Sequence, residues 1–172
     1  MITVDLKKCT GCKRCETVCS FFHTGRISSH LARIKVLNLY ENGIDCPVLC
    51  VQCRERYCME CPQNALSIGS LGEVIVSSDL CTACGACEQA CPIGAAEIFH
   101  DTVHVCDLCG GKPSCVEACT EGAISFEPEM TEHVSLAEIE KGTAGMSPGM
   151  KRYAYIRKRT TLKKKRKGRI HA

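Results

Sequence analysis

Apolar residues occur only in short runs along this chain, and the pattern predicts many small elements rather than a few long ones. Residues 33–49 alternate apolar and polar positions around Asn42 and Gly43, a pair that favours a tight turn between two strands. We therefore expect a β-hairpin over this segment. Further strands are predicted at residues 2–5, 65–68, 73–76, 96–105 and 123–126, and short helices at residues 14–23, 86–90, 114–118 and 135–142. The fold class predicted by this mixture is α+β.

The chain contains seventeen cysteines, and sixteen of them fall into four groups. Groups one and three read C-x2-C-x2-C-x3-C, group two reads C-x2-C-x4-C-x2-C, and group four reads C-x2-C-x5-C-x3-C. Cys46 stands outside the groups. In chain order the groups are Cys9, Cys12, Cys15 and Cys19; Cys50, Cys53, Cys58 and Cys61; Cys81, Cys84, Cys87 and Cys91; and Cys106, Cys109, Cys115 and Cys119.

The cysteine spacing is typical of [4Fe–4S] clusters. Three cysteines at two-residue intervals surround one inorganic cube, and the fourth, on the helix that follows, ligates the cube of a paired group. Four groups then supply four [4Fe–4S] clusters. Structural zinc uses paired C-x2-C units, but it does not explain the third cysteine at the same interval.

Composition agrees with a chain that metal rather than burial holds together. The sequence has no Trp, four Tyr and four Phe, so its apolar core must be thin. Its apolar runs are too short for a transmembrane helix, and membrane insertion is not expected. The amino-terminal residues show no apolar signal region, which favours a cytoplasmic protein in which structural disulfides are rare.

Charge divides the chain in two. Residues 1–150 contain all nineteen acidic residues and eleven Lys and Arg, a net charge of −8, whereas residues 151–172 contain eleven Lys and Arg and no acid. We expect residues 127–150 to form a short helix and a linker, and residues 151–172 to form a basic tail that is disordered alone and binds an acidic partner. Nucleic-acid binding is the less favoured use of this tail. The tail's candidate partner-binding residues are Lys151, Arg152, Arg157, Lys158, Arg159, Lys163, Lys164, Lys165, Arg166, Lys167 and Arg169.

The segments between the cysteines carry a resemblance to a known family. Residues 1–126 resemble the four-cluster ferredoxin-like electron-transfer subunits of tungsten aldehyde oxidoreductases and of class II benzoyl-CoA reductase, within the wider polyferredoxin subunits of molybdenum and tungsten oxidoreductases. The segments that carry it are Phe21-Phe22-His23-Thr24-Gly25, Arg33-Ile34-Lys35-Val36, Cys50-Val51-Gln52-Cys53, Cys91-Pro92-Ile93-Gly94-Ala95 and Val105-Cys106-Asp107-Leu108-Cys109-Gly110-Gly111.

The resemblance implies two tandem two-cluster units with the hairpin inserted between them. Group one pairs with group four, and group two with group three. The implied ligand sets are Cys9, Cys12, Cys15 and Cys119; Cys106, Cys109, Cys115 and Cys19; Cys50, Cys53, Cys58 and Cys91; and Cys81, Cys84, Cys87 and Cys61. The spacing between Cys58 and Cys61 departs from the usual pattern, which leaves either Cys61 or Cys46 to complete the last set.

The resemblance also implies a function. It predicts a non-catalytic subunit that passes single electrons to or from a large tungsten- or molybdenum-pterin catalytic subunit. A ferredoxin or a flavin- and NADH-dependent subunit would be the other redox partner, and further copies of the chain could bind. The alternative is an electron-transfer subunit of a hydrogenase, formate dehydrogenase or carbon monoxide dehydrogenase. An alternative of a different class is a nucleic-acid-binding iron–sulfur protein.

Overall fold

The computed structural model describes residues 1–130 and 133–168, with side chains described as far as Thr160. Its elements are short, as the apolar pattern predicts, and they mix helix and strand in an α+β fold. In chain order they are β1 (Ile2–Val4), α1 (Arg14–Thr24), β2 (Lys35–Leu39), β3 (Ile44–Val48), β4 (Leu66–Ile68), β5 (Val74–Val76), α2 (Ala86–Ala90), β6 (Glu97–Phe99), β7 (Thr102–His104), α3 (Ser114–Glu117), β8 (Ile124–Phe126), α4 (Ala137–Glu140) and α5 (Pro148–Gly168). Short 3-10 turns lie at Tyr40–Asn42, Tyr57–Met59 and Leu108–Gly111.

The eight strands pair antiparallel into four two-stranded sheets. Three of these sheets are local hairpins, but β1 pairs with β8 across the whole cysteine-bearing region, with Ile2 opposite Phe126. The Thr3 and Ser125 hydroxyls add a hydrogen bond of 2.7 Å across this sheet. Because β1 precedes the first cysteine group and β8 follows the fourth, this pairing brings the two groups side by side, and α1 packs on α3.

Strands β2 and β3 pair over five residues each, from Lys35 opposite Val48 to Leu39 opposite Ile44. The connection is wider than the two-residue turn that Asn42 and Gly43 suggest. It is a 3-10 turn closed by Gly43, whose φ of 58° is the left-handed conformation that glycine adopts without strain.

The single strand expected over residues 96–105 is instead two strands, β6 and β7, and that expectation is wrong. His100 and Asp101 have φ values of 49° and 54°, which make a two-residue turn between them. Two consecutive left-handed residues define the type I′ turn, and short polar side chains tolerate this conformation better than apolar ones.

The apolar core is divided into three clusters, and each contains cysteines of the four groups. Cys15, Cys19 and Cys115 belong to the first cluster, with β1, α1, α3 and β8. Cys50, Cys53 and Cys91 pack against the second, which also contains Tyr155 and Ile156. Cys87 belongs to the third, with residues of β4 and β5. The thiols are thus part of the interior rather than appended to it.

Residues 151–168 are helical rather than a disordered tail, and this expectation is corrected by the structure, which does not describe residues 169–172. The helix α5 begins at Pro148, inside the segment expected to be a linker. Its inward positions are Lys151, Arg152, Tyr155, Ile156 and Thr160, all less than 9 % exposed. These positions repeat with helical spacing and form one buried stripe along α5. Because two of them are basic, a search for apolar periodicity does not detect this stripe.

Two residues assigned to a partner, Lys151 and Arg152, instead bind this chain. The Lys151 ammonium donates to the carbonyls of Glu88 and Gln89 at 3.1 and 2.6 Å. The Arg152 guanidinium donates to the Gly94 carbonyl at 2.7 Å and to both carboxylate oxygens of Glu97 at 3.2 and 3.3 Å. Both side chains are buried and hydrogen-bonded within the body, and Arg152 also pairs with a carboxylate, so neither is available to another protein.

The other basic residues of α5 point elsewhere. Lys158 pairs with Glu138 at 3.1 Å, Arg159 lies over the Tyr155 ring, and Arg157 is exposed over the Tyr153 ring. The side chains of Lys163, Lys164, Lys165, Arg166 and Lys167, and Arg169 as a whole, lie outside the described residues. Within residues 1–130 and 133–168, no helix is both long and apolar enough to cross a bilayer.

The start of α5 depends on Gly94, and a substitution there tests how the helix docks. A Cβ on Gly94 would clash with the Pro148 carbonyl, whose carbon would be only 2.9 Å away, and the φ of Gly94 is +61°. We expect Gly94→Ala to displace the first turn of α5 and to accelerate tryptic cleavage within residues 151–160.

Gly43→Ala is the matched control, because Gly43 also has a positive φ but has open space where its Cβ would lie. It should cost only about 1 kcal/mol of backbone strain and leave the cleavage rate of α5 unchanged. Equal effects of the two substitutions would show that strain, rather than the contact with Pro148, explains any loss.

Candidate iron–sulfur centres

The structure brings the sixteen grouped cysteines together in four sets, each composed of three thiols from one group and one from another. Three sets line small cavities, and the thiols of the fourth interact electrostatically with one another. All sixteen thiols are free. We name the sets site 1 (Cys9, Cys12, Cys15, Cys119), site 2 (Cys19, Cys106, Cys109, Cys115), site 3 (Cys50, Cys53, Cys58, Cys91) and site 4 (Cys61, Cys81, Cys84, Cys87).

The loops between the first two cysteines share one backbone conformation. In every group the residue two positions after the first cysteine has a positive φ: Gly11 at 70°, Gln52 at 48°, Ala83 at 51° and Leu108 at 58°. A left-handed residue reverses the local curl of the chain, so the cysteine that follows returns toward the first. Three of the four are not glycine, and each such residue costs about 1–2 kcal/mol. Strain of this kind is retained where the chain must hold a particular geometry.

Short helices distribute cysteines between neighbouring sites. Cys15 and Cys19 lie on α1 four residues apart and belong to sites 1 and 2. Cys115 on α3 and Cys119, two residues past the end of α3, belong to sites 2 and 1. Cys87 and Cys91 connect sites 4 and 3 from α2. Residues four apart on an α-helix share a face and are displaced by about 6 Å along the axis. Each helix therefore holds two sites next to each other.

The irregular spacing of Cys58 and Cys61 has the same outcome. These cysteines are three residues apart, and the chain around Cys58 is the 3-10 turn Tyr57–Met59 rather than an α-helix. Cys61 follows two residues after the end of this turn. The two thiols line different cavities, Cys58 at site 3 and Cys61 at site 4.

Cys61, not Cys46, lies with the thiols of group three. Cys46 lies on β3, fully buried among Leu39, Val48 and Ile156 in the second core cluster. It occupies a position that a small apolar residue would also fill.

Burial raises the pKa of several of these thiols. Desolvation raises the pKa of Cys50 to about 12, and burial with the charge of Glu16 raises the pKa of Cys15 to about 12. Burial and the neighbouring thiolates Cys19 and Cys109 raise the pKa of Cys115 to about 12. Four buried thiols facing one another are a donor set that fits a cationic iron–sulfur core, whose binding releases the protons.

Backbone amides are aimed at several of the sulfur atoms. The amides of Arg33, Ala95 and Ala123 donate to the Sγ atoms of Cys19, Cys91 and Cys119 at 3.2, 3.2 and 3.3 Å. The Gln52 amide lies 3.4 Å from Cys50 Sγ. Such bonds favour the thiolate over the thiol, and in iron–sulfur proteins they adjust the reduction potential.

One side chain near the thiols was not identified from the sequence. His23 Nε2 lies 3.7 Å from Cys109 Sγ and 3.5 Å from Asp107 Oδ1, and Arg33 pairs with the same carboxylate at 2.5 Å. Burial and the Arg33 charge lower the pKa of His23. His23 and Cys109 are 86 positions apart, so no local spacing could have revealed the contact.

A chain with thiol sets linked in this way has the architecture of a multi-cluster ferredoxin. Family models for the 4Fe-4S binding domain match residues 1–26 and 74–97. The chain is therefore an iron–sulfur protein that binds multiple [4Fe–4S] clusters.

Comparison with known proteins identifies the family. The chain is 46 % identical over 125 residues to the polyferredoxin-like subunit of an aliphatic sulfonate oxidoreductase from Pyrococcus furiosus, covering 70 % of each chain. It is 30 % identical over 151 residues to one subunit of the anaerobic dimethyl sulfoxide reductase of Escherichia coli, covering 73 % of this chain and 71 % of that subunit. The solved BamBC complex of benzoyl-CoA reductase with benzoyl-CoA contains a chain 29 % identical, with coverage of 73 % and 76 % and a TM-score of 0.45. This protein belongs to the polyferredoxin-like, electron-transfer subunits of oxidoreductases.

The positions of Cys61 and Cys46 predict opposite results for two single substitutions. Cys61→Ala should lower the iron content by about four atoms or convert one cluster to a three-iron form, because it removes a thiol that lines site 4. Cys46→Ala should leave the iron content and the visible spectrum unchanged and should only lower the free energy of unfolding. Iron analysis and EPR spectroscopy of anaerobically prepared protein measure both. Loss of iron in Cys46→Ala with none in Cys61→Ala would reverse the assignment.

Proposed function

We propose that this chain passes single electrons along four [4Fe–4S] clusters, one at each thiol site, to or from a tungsten-pterin catalytic subunit. The observation that supports this proposal most directly is the linkage between the sites. Sites 1 and 2 share α1 and α3, whereas sites 3 and 4 share α2 and the 3-10 turn at Tyr57–Met59. These pairs are the two proposed units, and the β2–β3 hairpin lies in the sequence between groups one and two.

The two units meet at sites 2 and 3. After burial itself, the thiolate of Cys50, in site 3, contributes most to the raised pKa of Cys106, in site 2. This interaction supports the order 1, 2, 3, 4 for the sites, in which sites 2 and 3 are neighbours. When bound, each cluster supplies a centre that accepts and releases one electron.

The ends of this series face solvent. Cys12 in site 1 and Cys84 in site 4 are exposed, whereas the thiols of sites 2 and 3 are partly or fully buried. A carrier between two proteins needs accessible terminal centres and protected internal ones. We place the two docking surfaces for redox partners at sites 1 and 4, with the catalytic subunit at one and a ferredoxin or a flavin- and NADH-dependent subunit at the other.

The sequence resemblance is what supports a tungsten- or molybdenum-pterin partner. Two relatives are named as subunits of an aliphatic sulfonate oxidoreductase and of a dimethyl sulfoxide reductase, which supports the wider role of an oxidoreductase subunit. The segments around Phe22, Gly94 and Gly110 favour the tungsten branch, as the sequence resemblance implies. The chain itself we infer to be non-catalytic, since each proposed cluster has four thiols and no open position for substrate.

The cluster count is the first test. Anaerobically prepared protein should contain about sixteen irons and an equal amount of sulfide per chain, and its visible absorption should bleach reversibly on reduction. EPR of the reduced protein should show coupled signals, because adjacent sites are held by single short helices. An iron content near eight would mean that one tandem unit binds no clusters and would refute the four-cluster series.

The second test concerns the basic end of α5. Replacing Lys163, Lys164, Lys165, Arg166 and Lys167 by Gln should weaken binding to the catalytic subunit and reduce its dependence on salt, because fewer charges are paired at the interface. Iron content should not change, since Cys119 is the last cysteine. Truncation after Thr160 is the control for length. Unaltered affinity and salt dependence in both variants would remove this segment from the interface.

A further inference from the structure

Lys151 is a fully buried cation in the first turn of α5. It is 1 % exposed and is the largest side chain among those buried to this degree. Its Nζ donates to the carbonyls of Glu88 and Gln89, which lie in the last turn of α2. The carbonyl end of a helix attracts a cation, but two neutral acceptors do not neutralise a buried charge.

No carboxylate neutralises this charge directly. Within residues 1–130 and 133–160, no carboxylate oxygen lies within 4 Å of Lys151 Nζ, whereas the next residue, Arg152, pairs with Glu97. The Glu88 carboxylate accepts a hydrogen bond of 2.6 Å from the Ile98 amide instead. A buried charge without a counter-ion costs several kcal/mol, so a negative group is needed near Lys151.

The thiol of Cys91 is the group that best meets this need. Lys151 Nζ binds the carbonyl of Gln89, two positions before Cys91, and Arg152 binds the carbonyl of Gly94, three positions after it, so the first turn of α5 lies against the segment that carries Cys91. A negative charge on Cys91 also opposes the lowering of the Lys151 pKa by burial. Cys91 belongs to site 3, and α5 packs in the core cluster beside that site. Tyr155 and Ile156 pack in the core cluster that Cys50, Cys53 and Cys91 adjoin, and Pro148 rests on Gly94.

We propose that Lys151 is the buried counter-ion of the cluster at site 3, so that this cluster and the docking of α5 stabilise each other. The inference rests on the proposed function, because it requires a cluster at that site. A cube with four thiolates carries a net negative charge, and reduction makes it more negative. A fixed cation therefore stabilises the reduced form and raises the potential of this cluster. By reciprocity, reduction of the cluster strengthens the docking of α5.

Three substitutions separate charge from shape. Lys151→Gln removes the charge but keeps an amide donor for the two carbonyls, Lys151→Met removes both, and Lys151→Arg keeps the charge. Lys158→Met is the matched control, because it removes one charge from the same helix at a position paired with the exposed Glu138. Each protein is prepared anaerobically with its clusters, and iron content is measured first.

An EPR-monitored redox titration gives the main result. We expect one cluster, and only one, to shift to a lower potential in Lys151→Gln and Lys151→Met. The expected size is at least a tenfold fall in its reduced-to-oxidised ratio at fixed potential, which is about 59 mV for a one-electron couple. Lys151→Arg and Lys158→Met should keep the wild-type potentials. Wild-type potentials in Lys151→Gln would overturn the proposal and show that Lys151 only caps α2.

Cluster loss also gives a decisive outcome. If Lys151→Gln lacks about four irons while Lys151→Arg retains them, the charge is required and the proposal stands. If both variants lack them, the shape of lysine is required and the proposal fails. In either case, the iron content of the wild-type protein tests the four-cluster proposal separately from the role of Lys151.

Hydrogen exchange tests the reciprocal effect in the unmodified protein. Amides of residues 152–160 should exchange more slowly in the reduced holoprotein than in the oxidised one, and Lys151→Gln should abolish the difference. Equal exchange in the two redox states of the wild type would show that α5 docks independently of the cluster and would refute the coupling.

Discussion

The rest of the fold depends on one constraint: four thiols must be held close together at each of four places in a small chain. Little ordinary apolar burial is available to enforce this arrangement, because the core is split into three clusters that themselves contain Cys15, Cys87 and Cys115. Without a bound group, each set would be a collection of protonated thiols around a cavity. Metal–thiolate bonds are therefore the interaction that we expect to join these clusters into one stable unit.

The short elements follow from the same constraint. A helix such as α1 needs only enough length to present Cys15 and Cys19 on one face, and α2 and α3 each contain one cysteine and end within two residues of the next. The two-stranded sheets then set which groups meet, with β1 and β8 closing the first unit. Regular structure here serves to position ligands, and this explains why so little of it is needed per site.

The sequence predicts this part of the molecule well, because the information is local. Cysteine spacing predicts the groups, and the short helices and most strands follow from adjacent residues. Longer-range features escape such reasoning. The contact between His23 and Cys109 joins segments that are far apart in the sequence. The turn at His100 and Asp101 contains no glycine, which is the usual sequence signal for such a turn. The docking of α5 was missed because its buried stripe begins with Lys151 and Arg152, whose aliphatic stems are buried while their charged ends find acceptors.

That last difference changes how the charge of the whole chain is understood. The sequence divides into an acidic body and a basic end, and the structure divides the basic end again. Lys151 and Arg152 enter the body, where Arg152 pairs with Glu97 and, in our proposal, the cluster of site 3 provides the negative charge near Lys151. Arg157 is exposed on the same helix, which continues toward the lysine-rich segment. In our proposal, one helix therefore connects a buried cation beside site 3 to the basic residues that bind an acidic partner, and the two proposed roles of α5 depend on the same docked helix.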